Sequence, residues 1–144
     1  TARHPVPAAM YRVEAEGKVF CYTGDTNTVE GLAEFADHAD FLLADGLFTD
    51  AAWAEGKPHL SARHVAELAE AAHVRRFVIT HLNPTVDPQT LLKEARAIRI
   101  DAQLSRAAAC HFRKQRTVQQ NDVLGLFFQL IVLFLNHHIL QCID

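Results

Sequence analysis

Three side chains that can bind metal ions stand next to predicted β-strands of this chain. His4 precedes the first predicted strand, Asp25 follows the second, and His81 follows a later one. Layered α/β proteins bind ligands in the crevices outside strand ends, where such side chains meet. Two imidazoles and one carboxylate suit a borderline metal such as zinc, and the two oxygens of a carboxylate can bridge two ions. The pattern therefore raises the hypothesis of a metal site formed by these three residues.

Other roles for these residues stay open from the sequence alone. Asp25 lies between Gly24 and Thr26, a context that is equally typical of an Asx turn. A histidine before a Leu-Asn-Pro segment, such as His81, is more often a hydrogen-bonded loop or core residue. His4, close to the start of the chain, carries no signal by itself. The chain contains neither a CxxC nor an HExxH motif that would decide between these interpretations.

The elements that must position these residues alternate along the chain. Apolar periodicity, turn residues and helix-capping residues delimit them. Strands are predicted at 9–15, 19–23, 41–44 and 76–80, and helices at 29–36, after Ser61, and from 88 to about 98. Strands that alternate with helices predict an α/β layer arrangement. The leading hairpin adds an antiparallel pair, so the predicted sheet is mixed.

The composition is that of a globular domain. Of the 144 residues, 49% are hydrophobic and 22% are charged, which excludes a disordered chain. The formal net charge of −3 gives no general attraction to phosphate backbones or anionic membranes. Three cysteines, an odd number, argue against a disulfide scaffold and fit a reducing compartment. Without a signal-peptide pattern, we expect a cytoplasmic protein, and the start at Thr1 suggests a longer gene product.

The last part of the chain has a different composition. Residues 1–109 contain 22 alanines, whereas residues 110–144 contain none. Residues 123–135 are almost wholly apolar, but a membrane-spanning helix needs roughly 20 such residues. We therefore expect no membrane span. Two alternatives stay open for 108–144: an element packed on an apolar surface, or a non-native C-terminus such as a shifted reading frame produces.

Five short segments lie in a fixed order between residue 4 and about residue 97. They are His4 ahead of Tyr11-Arg12-Val13-Glu14, then Tyr22-Thr23-Gly24-Asp25-Thr26, Leu43-Ala44-Asp45-Gly46-Leu47-Phe48, His59-Leu60-Ser61-Ala62 and Ile79-Thr80-His81-Leu82. In this order they resemble the motifs of the metallo-β-lactamase-fold hydrolases, and within them of the ribonuclease Z-like branch. The HxHxDH signature of that family belongs upstream of His4 and is absent here. The chain therefore resembles the C-terminal half of the fold.

The resemblance implies a fold and a set of site residues. Residues 1–107 would form the C-terminal half of an αββα domain, a mixed sheet with flanking helices, followed by the atypical segment 108–144. His4, Asp25 and His81 would bind two zinc ions, with Asp25 bridging them; manganese or iron accepts the same ligands. The catalytic pair would be His59 and Asp45. His59 stabilises or protonates the leaving oxygen, and Asp45 orients the His59 ring.

The resemblance also implies hydrolysis of a phosphodiester by a metal-activated hydroxide. The substrate of the complete protein would be an RNA phosphodiester or a small-molecule ester. The isolated chain holds ligands of two different metal positions, so we expect weak zinc binding and little or no activity. Self-association through exposed apolar surface is a further expectation. Two alternatives are a non-catalytic, partner-binding half-fold and a hydrolase of the same fold that acts on esters or lactones.

Overall fold

The structure, a computed structural model, describes residues 2–105, so the predictions for 108–144 lie outside the described residues. Its strands are β1 (Tyr11–Ala15), β2 (Lys18–Tyr22), β3 (Phe41–Asp45), β4 (Phe77–Thr80) and β5 (Gln103–Leu104). Its α-helices are α1 (Leu32–Ala36), α2 (Ala62–Ala71) and α3 (Pro88–Arg96), with a 3-10 turn at Asp50–Ala52. Within the described part, none of the helices is long and apolar enough to cross a membrane.

The strands form one mixed sheet in the order β1-β2-β3-β4-β5. β1 and β2 pair antiparallel, whereas β2 to β5 pair parallel, which confirms the predicted α/β class and mixed sheet. Glu16 and Gly17 join the hairpin with φ angles of 52° and 70°. Positive φ at both central residues is the geometry that matches the twist of a two-residue hairpin.

The helices α1, α2 and α3 each connect two parallel strands, and α2 packs between the other two against β3 and β4. The sheet residues beneath them alternate in burial. Leu42 and Ala44 of β3, with Phe77 and Ile79 of β4, are almost completely buried. Their neighbours Phe41, Leu43 and Val78 point to the opposite face and are half-buried. This core fixes β3 and β4, whose ends carry candidate site residues.

Two predicted helix starts are confirmed by their caps. The Ser61 hydroxyl accepts a hydrogen bond from the His64 amide at 3.2 Å, and Asp87 accepts one from Gln89 at 3.0 Å ahead of Pro88. Other boundaries differ from the prediction. α1 begins at Leu32 rather than at residue 29, because Gly31 adopts a left-handed φ of 77° that does not continue into a helix.

Candidate metal centre

Four side chains at one edge of the sheet form a cluster that could hold a metal ion. Each offers a ligand atom that lies within 4.8 Å of the others; they are Asp25, Asp45, His59 and His81. Because β2, β3 and β4 are parallel, their carboxyl ends meet at this edge, as expected for a site in an α/β protein. Asp25 follows β2, Asp45 ends β3, and His81 follows β4. His59 comes from the segment just ahead of α2.

Asp45 lies at the centre of the cluster and is completely buried. Its Oδ2 accepts a hydrogen bond from the Thr26 amide at 3.0 Å and lies 2.5 Å from Nδ1 of His59. Its own amide donates to the Thr23 hydroxyl at 3.0 Å. These contacts join the loop after β2 to the end of β3, so the Asp45 carboxylate has little freedom to reorient.

The other carboxylate oxygen of Asp45 is suited to a cation. Within residues 2–105, the buried Oδ1 accepts no hydrogen bond, although Nδ1 of His81 lies 3.3 Å away. A buried carboxylate oxygen without a donor is costly, by about 1–3 kcal/mol or more for a charged group. Two carboxylates and two imidazoles are also the oxygen and nitrogen donors that zinc prefers. The residues present therefore fit a divalent metal ion.

His81 holds an unusual backbone conformation at the end of β4. Its φ of 55° lies in the left-handed region, which a residue with a Cβ rarely adopts. Strain of this kind concentrates at functional sites. Nδ1 of its exposed ring lies 3.4 Å from Oδ1 of Asp25. Contact with the Asp45 carboxylate raises the pKa of His81 against the opposing effect of burial, and the charge of Asp25 adds to the rise.

The Asp25 and Asp45 carboxylates create a negative field at the cluster, and the neighbouring phenol of Tyr22 lies within it. Burial raises the pKa of Tyr22 to about 12, and the charges of Asp25 and Asp45 add to that shift. A phenolate is disfavoured there because it would stand beside two carboxylates. The same field attracts a cation.

His59 contacts several members of the site. Its ring centroid lies 4.7 Å from that of His81 in an edge-on arrangement, and 5.1 Å from that of His4. The side chain is nearly buried, and Nδ1 is engaged by Asp45. The structure thus contains the contact expected between the pair His59 and Asp45. It also places Asp45 among the potential metal ligands, a role that the sequence analysis did not predict.

His4 lies at the margin of the cluster. Its half-buried ring packs beside His59, and its Nδ1 accepts a hydrogen bond from the Val6 amide at 3.3 Å. Two backbone contacts attach this segment to the loop after β2: the Arg3 amide donates to the Thr26 hydroxyl at 2.8 Å, and the Asn27 amide donates to the Arg3 carbonyl at 3.3 Å. The structure therefore brings Asp25 and His81 into direct contact, whereas His4 adjoins them through His59.

Asn27 supports the site and was missed by the sequence reasoning. Its buried side-chain amide donates to the carbonyl oxygens of Ala54, Glu55 and Lys57 at 3.1, 3.2 and 2.6 Å. Its Oδ1 accepts a hydrogen bond from the Trp53 indole at 3.0 Å. Asn27 thereby anchors the irregular segment that leads to His59. The one available signal was its place two residues after Asp25.

Comparison with known proteins assigns the family. Residues 1–82 match the family model described as "Beta-lactamase superfamily domain". That match covers more than half of the chain, so the chain belongs to the beta-lactamase superfamily. The assignment agrees with the mixed sheet and with the cluster at its edge.

Two curated relatives indicate which branch of the superfamily the chain resembles. The chain is 40% identical over 96 residues to Ribonuclease Z of Methanosarcina acetivorans, covering 64% of this chain and 32% of the relative. It is 41% identical over 86 residues to Ribonuclease Z of Haloferax volcanii, covering 57% and 27%. It thus spans about a third of the length of the curated relatives it matches.

Two solved structures share the fold. The metallo-beta-lactamase fold protein YhfI from Bacillus subtilis matches with a TM-score of 0.68 at 21% identity, over 72% of this chain and 44% of that one. The short form of human tRNase Z matches with a TM-score of 0.53 at 22% identity, over 71% and 36%. The resemblance to the ribonuclease Z-like branch of metallo-β-lactamase-fold proteins is confirmed.

Proposed function

We propose that this chain is part of a zinc-dependent hydrolase that cleaves RNA phosphodiesters in the cytoplasm. The observation that carries the proposal is the cluster of two carboxylates and two imidazoles at the carboxyl ends of three parallel strands, with a buried Asp45 oxygen that lacks a donor within residues 2–105. The relatives named Ribonuclease Z support RNA as the substrate class.

Three residues of this chain would hold the metal directly, and the charge of the buried Asp45 carboxylate beside His81 would stabilise it. Asp25 and His81, whose ligand atoms lie 3.4 Å apart, would bind directly, and Asp25 would be the ligand that two ions share. His4 joins them as the third ligand. Zinc held by these residues would supply a nucleophile at neutral pH and positive charge that stabilises the phosphodiester.

The pair His59 and Asp45 would manage the proton of the leaving oxygen. The 2.5 Å contact with Asp45 Oδ2 fixes the orientation of the His59 ring through Nδ1. That leaves Nε2 as the nitrogen that donates a proton to the leaving alkoxide. A buried carboxylate also stabilises the imidazolium that must exist before this transfer. On this contact we propose proton donation for His59 and positioning for Asp45.

The 144-residue chain alone is expected to bind zinc weakly and to show little or no hydrolysis. Its three proposed ligands belong to two metal positions, so each ion keeps only two protein ligands, one of them the shared Asp25. A catalytic zinc site ordinarily has three. We also propose that the isolated chain self-associates through exposed apolar surface.

The test compares this chain with a longer product that adds residues upstream of Thr1. We expect the longer product to hydrolyse bis(p-nitrophenyl) phosphate and a tRNA precursor in the presence of zinc, and Asp25→Ala to abolish both reactions. Glu30→Ala, which changes an exposed acid, is the control and should retain activity. Hydrolysis of esters or lactones without phosphodiester cleavage would instead favour the alternative hydrolase of the same fold. Metal-independent cleavage would contradict the proposal.

A further inference from the structure

A second group of potential metal ligands lies at the opposite edge of the sheet. Asp37 and His38 follow α1 and precede β3, and His73 follows α2 and precedes β4. They therefore lie at the amino ends of the two central parallel strands, whereas the first cluster lies at the carboxyl ends. One ligand atom from each of the three residues lies within 4.8 Å of the others, and all three residues are exposed.

Backbone hydrogen bonds between the loops before β3 and β4 hold the two imidazoles side by side. The His38 amide donates to the Ala72 carbonyl at 2.8 Å, and the Arg75 amide donates to the Ala39 carbonyl at 2.9 Å. These bonds link the loop before β3 to the loop before β4 in both directions. The ring centroids of His38 and His73 lie 5.2 Å apart at an interplanar angle of 47°.

Both histidines occupy an unusual backbone position. Their φ angles are 50° and 53°, in the left-handed region where a helix commonly ends on glycine or asparagine. Both side chains are exposed, so neither imidazole fills the core. With this backbone conformation, the His38 ring in the loop before β3 contacts the His73 ring in the loop before β4.

The charged neighbours leave the Asp37 carboxylate available. The nearby Asp40 carboxylate is engaged by Lys18 at 3.1 Å and by Arg75 at 3.6 Å. The Arg12 guanidinium donates to the backbone carbonyl of Asp37 at 3.1 Å rather than to its side chain. Within residues 2–105, the Asp37 side chain forms no ion pair, and Arg75, two residues after His73, is paired with Asp40.

We propose that Asp37, His38 and His73 form a second binding site for a transition-metal dication such as Zn²⁺. Two imidazole nitrogens and one carboxylate oxygen make a three-ligand set that leaves a coordination position open to solvent. Imidazole ligands favour zinc, copper and nickel over magnesium and calcium. The site is independent of the proposed hydrolytic function, because it shares no residue with the first cluster.

The test is a calorimetric titration of the 144-residue chain with Zn²⁺, repeated on a variant with His38→Asn and His73→Asn. Asparagine tolerates the left-handed backbone, so the variant keeps the loop geometry while it removes both imidazoles. We expect the double variant to bind one Zn²⁺ fewer per chain, and excess Mg²⁺ not to compete at this site. The control is Glu67→Gln, which changes a half-exposed acid on α2 that pairs with Arg63 and should leave the stoichiometry unchanged.

A separate variant distinguishes this proposal from the first cluster. Asp25→Ala with His81→Ala should leave the equivalent of Zn²⁺ assigned to His38 and His73 in place. If the asparagine variant binds Zn²⁺ with unchanged stoichiometry and affinity while its circular dichroism spectrum stays native, the second site does not exist. Loss of that equivalent in the Asp25→Ala, His81→Ala variant would equally overturn it.

Discussion

At the scale of single residues, the buried carboxylate of Asp45 organises the candidate centre. One oxygen is fixed by the Thr26 amide and by His59, while the other faces His81 without a hydrogen bond from residues 2–105. A side chain of this kind acts on metal affinity both through its charge and through the orientation of neighbouring groups. The charge and the shape of Asp45 can be separated by one isosteric substitution.

Asp45→Asn keeps the volume of the side chain and removes its charge. We expect the zinc affinity of the cluster to fall by about 10–100-fold, as for the loss of a supporting carboxylate at other metal sites. The measurement is a competition titration with a chromogenic chelator. Asp50→Asn is the matched control, since Asp50 is an exposed aspartate in the 3-10 turn. Equal affinities for the two variants would show that Asp45 has no part in metal binding.

At the scale of elements, the sequence predicted the parts of the fold that local chemistry determines. Ser61 and the pair Asp87-Pro88 mark the starts of two helices because caps are local signals. β5 was missed because Gln103–Leu104 is too short to show any periodicity. The contact between Asp45 and His59 was expected by resemblance, since residues 14 apart without a shared element have no local signal.

The difference between local signals and tertiary contacts also explains which site residues the sequence did not predict. Asn27 hydrogen-bonds to carbonyl groups of residues 54–57, a segment without regular structure, and nothing in its neighbourhood predicts those partners. The left-handed conformation of His81 likewise depends on the packing of the strand ends and not on residue type. Tertiary contacts between loops therefore account for most of the site that the residues alone did not predict.

Gly46 tests how tightly the end of β3 is packed against the helices. A Cβ at this position would collide with the side chain of Ile79 and lie 3.5 Å from Cγ2 of Val65. We expect Gly46→Ala to lower the free energy of unfolding by about 1–3 kcal/mol, the usual cost of overpacking a core. Urea denaturation measures the change. Gly56→Ala is the control, because no atom lies within 4 Å of the added Cβ; equal stability of the two variants would refute this packing.

At the scale of the whole molecule, the sheet separates two sets of potential ligands. The carboxyl ends of β2, β3 and β4 carry the cluster on which the proposed function rests. The amino ends of β3 and β4 carry the two histidines and Asp37. The chain spans about a third of the length of the curated relatives it matches.

The central claim is that Asp25 and His81 bind metal together, and anomalous diffraction at the zinc edge from zinc-soaked crystals tests it most directly. The account predicts an anomalous peak at roughly 2.0–2.2 Å from a carboxylate oxygen of Asp25 and from a ring nitrogen of His81. A saturating soak that leaves these side chains 3.4 Å apart with no peak between them would contradict it.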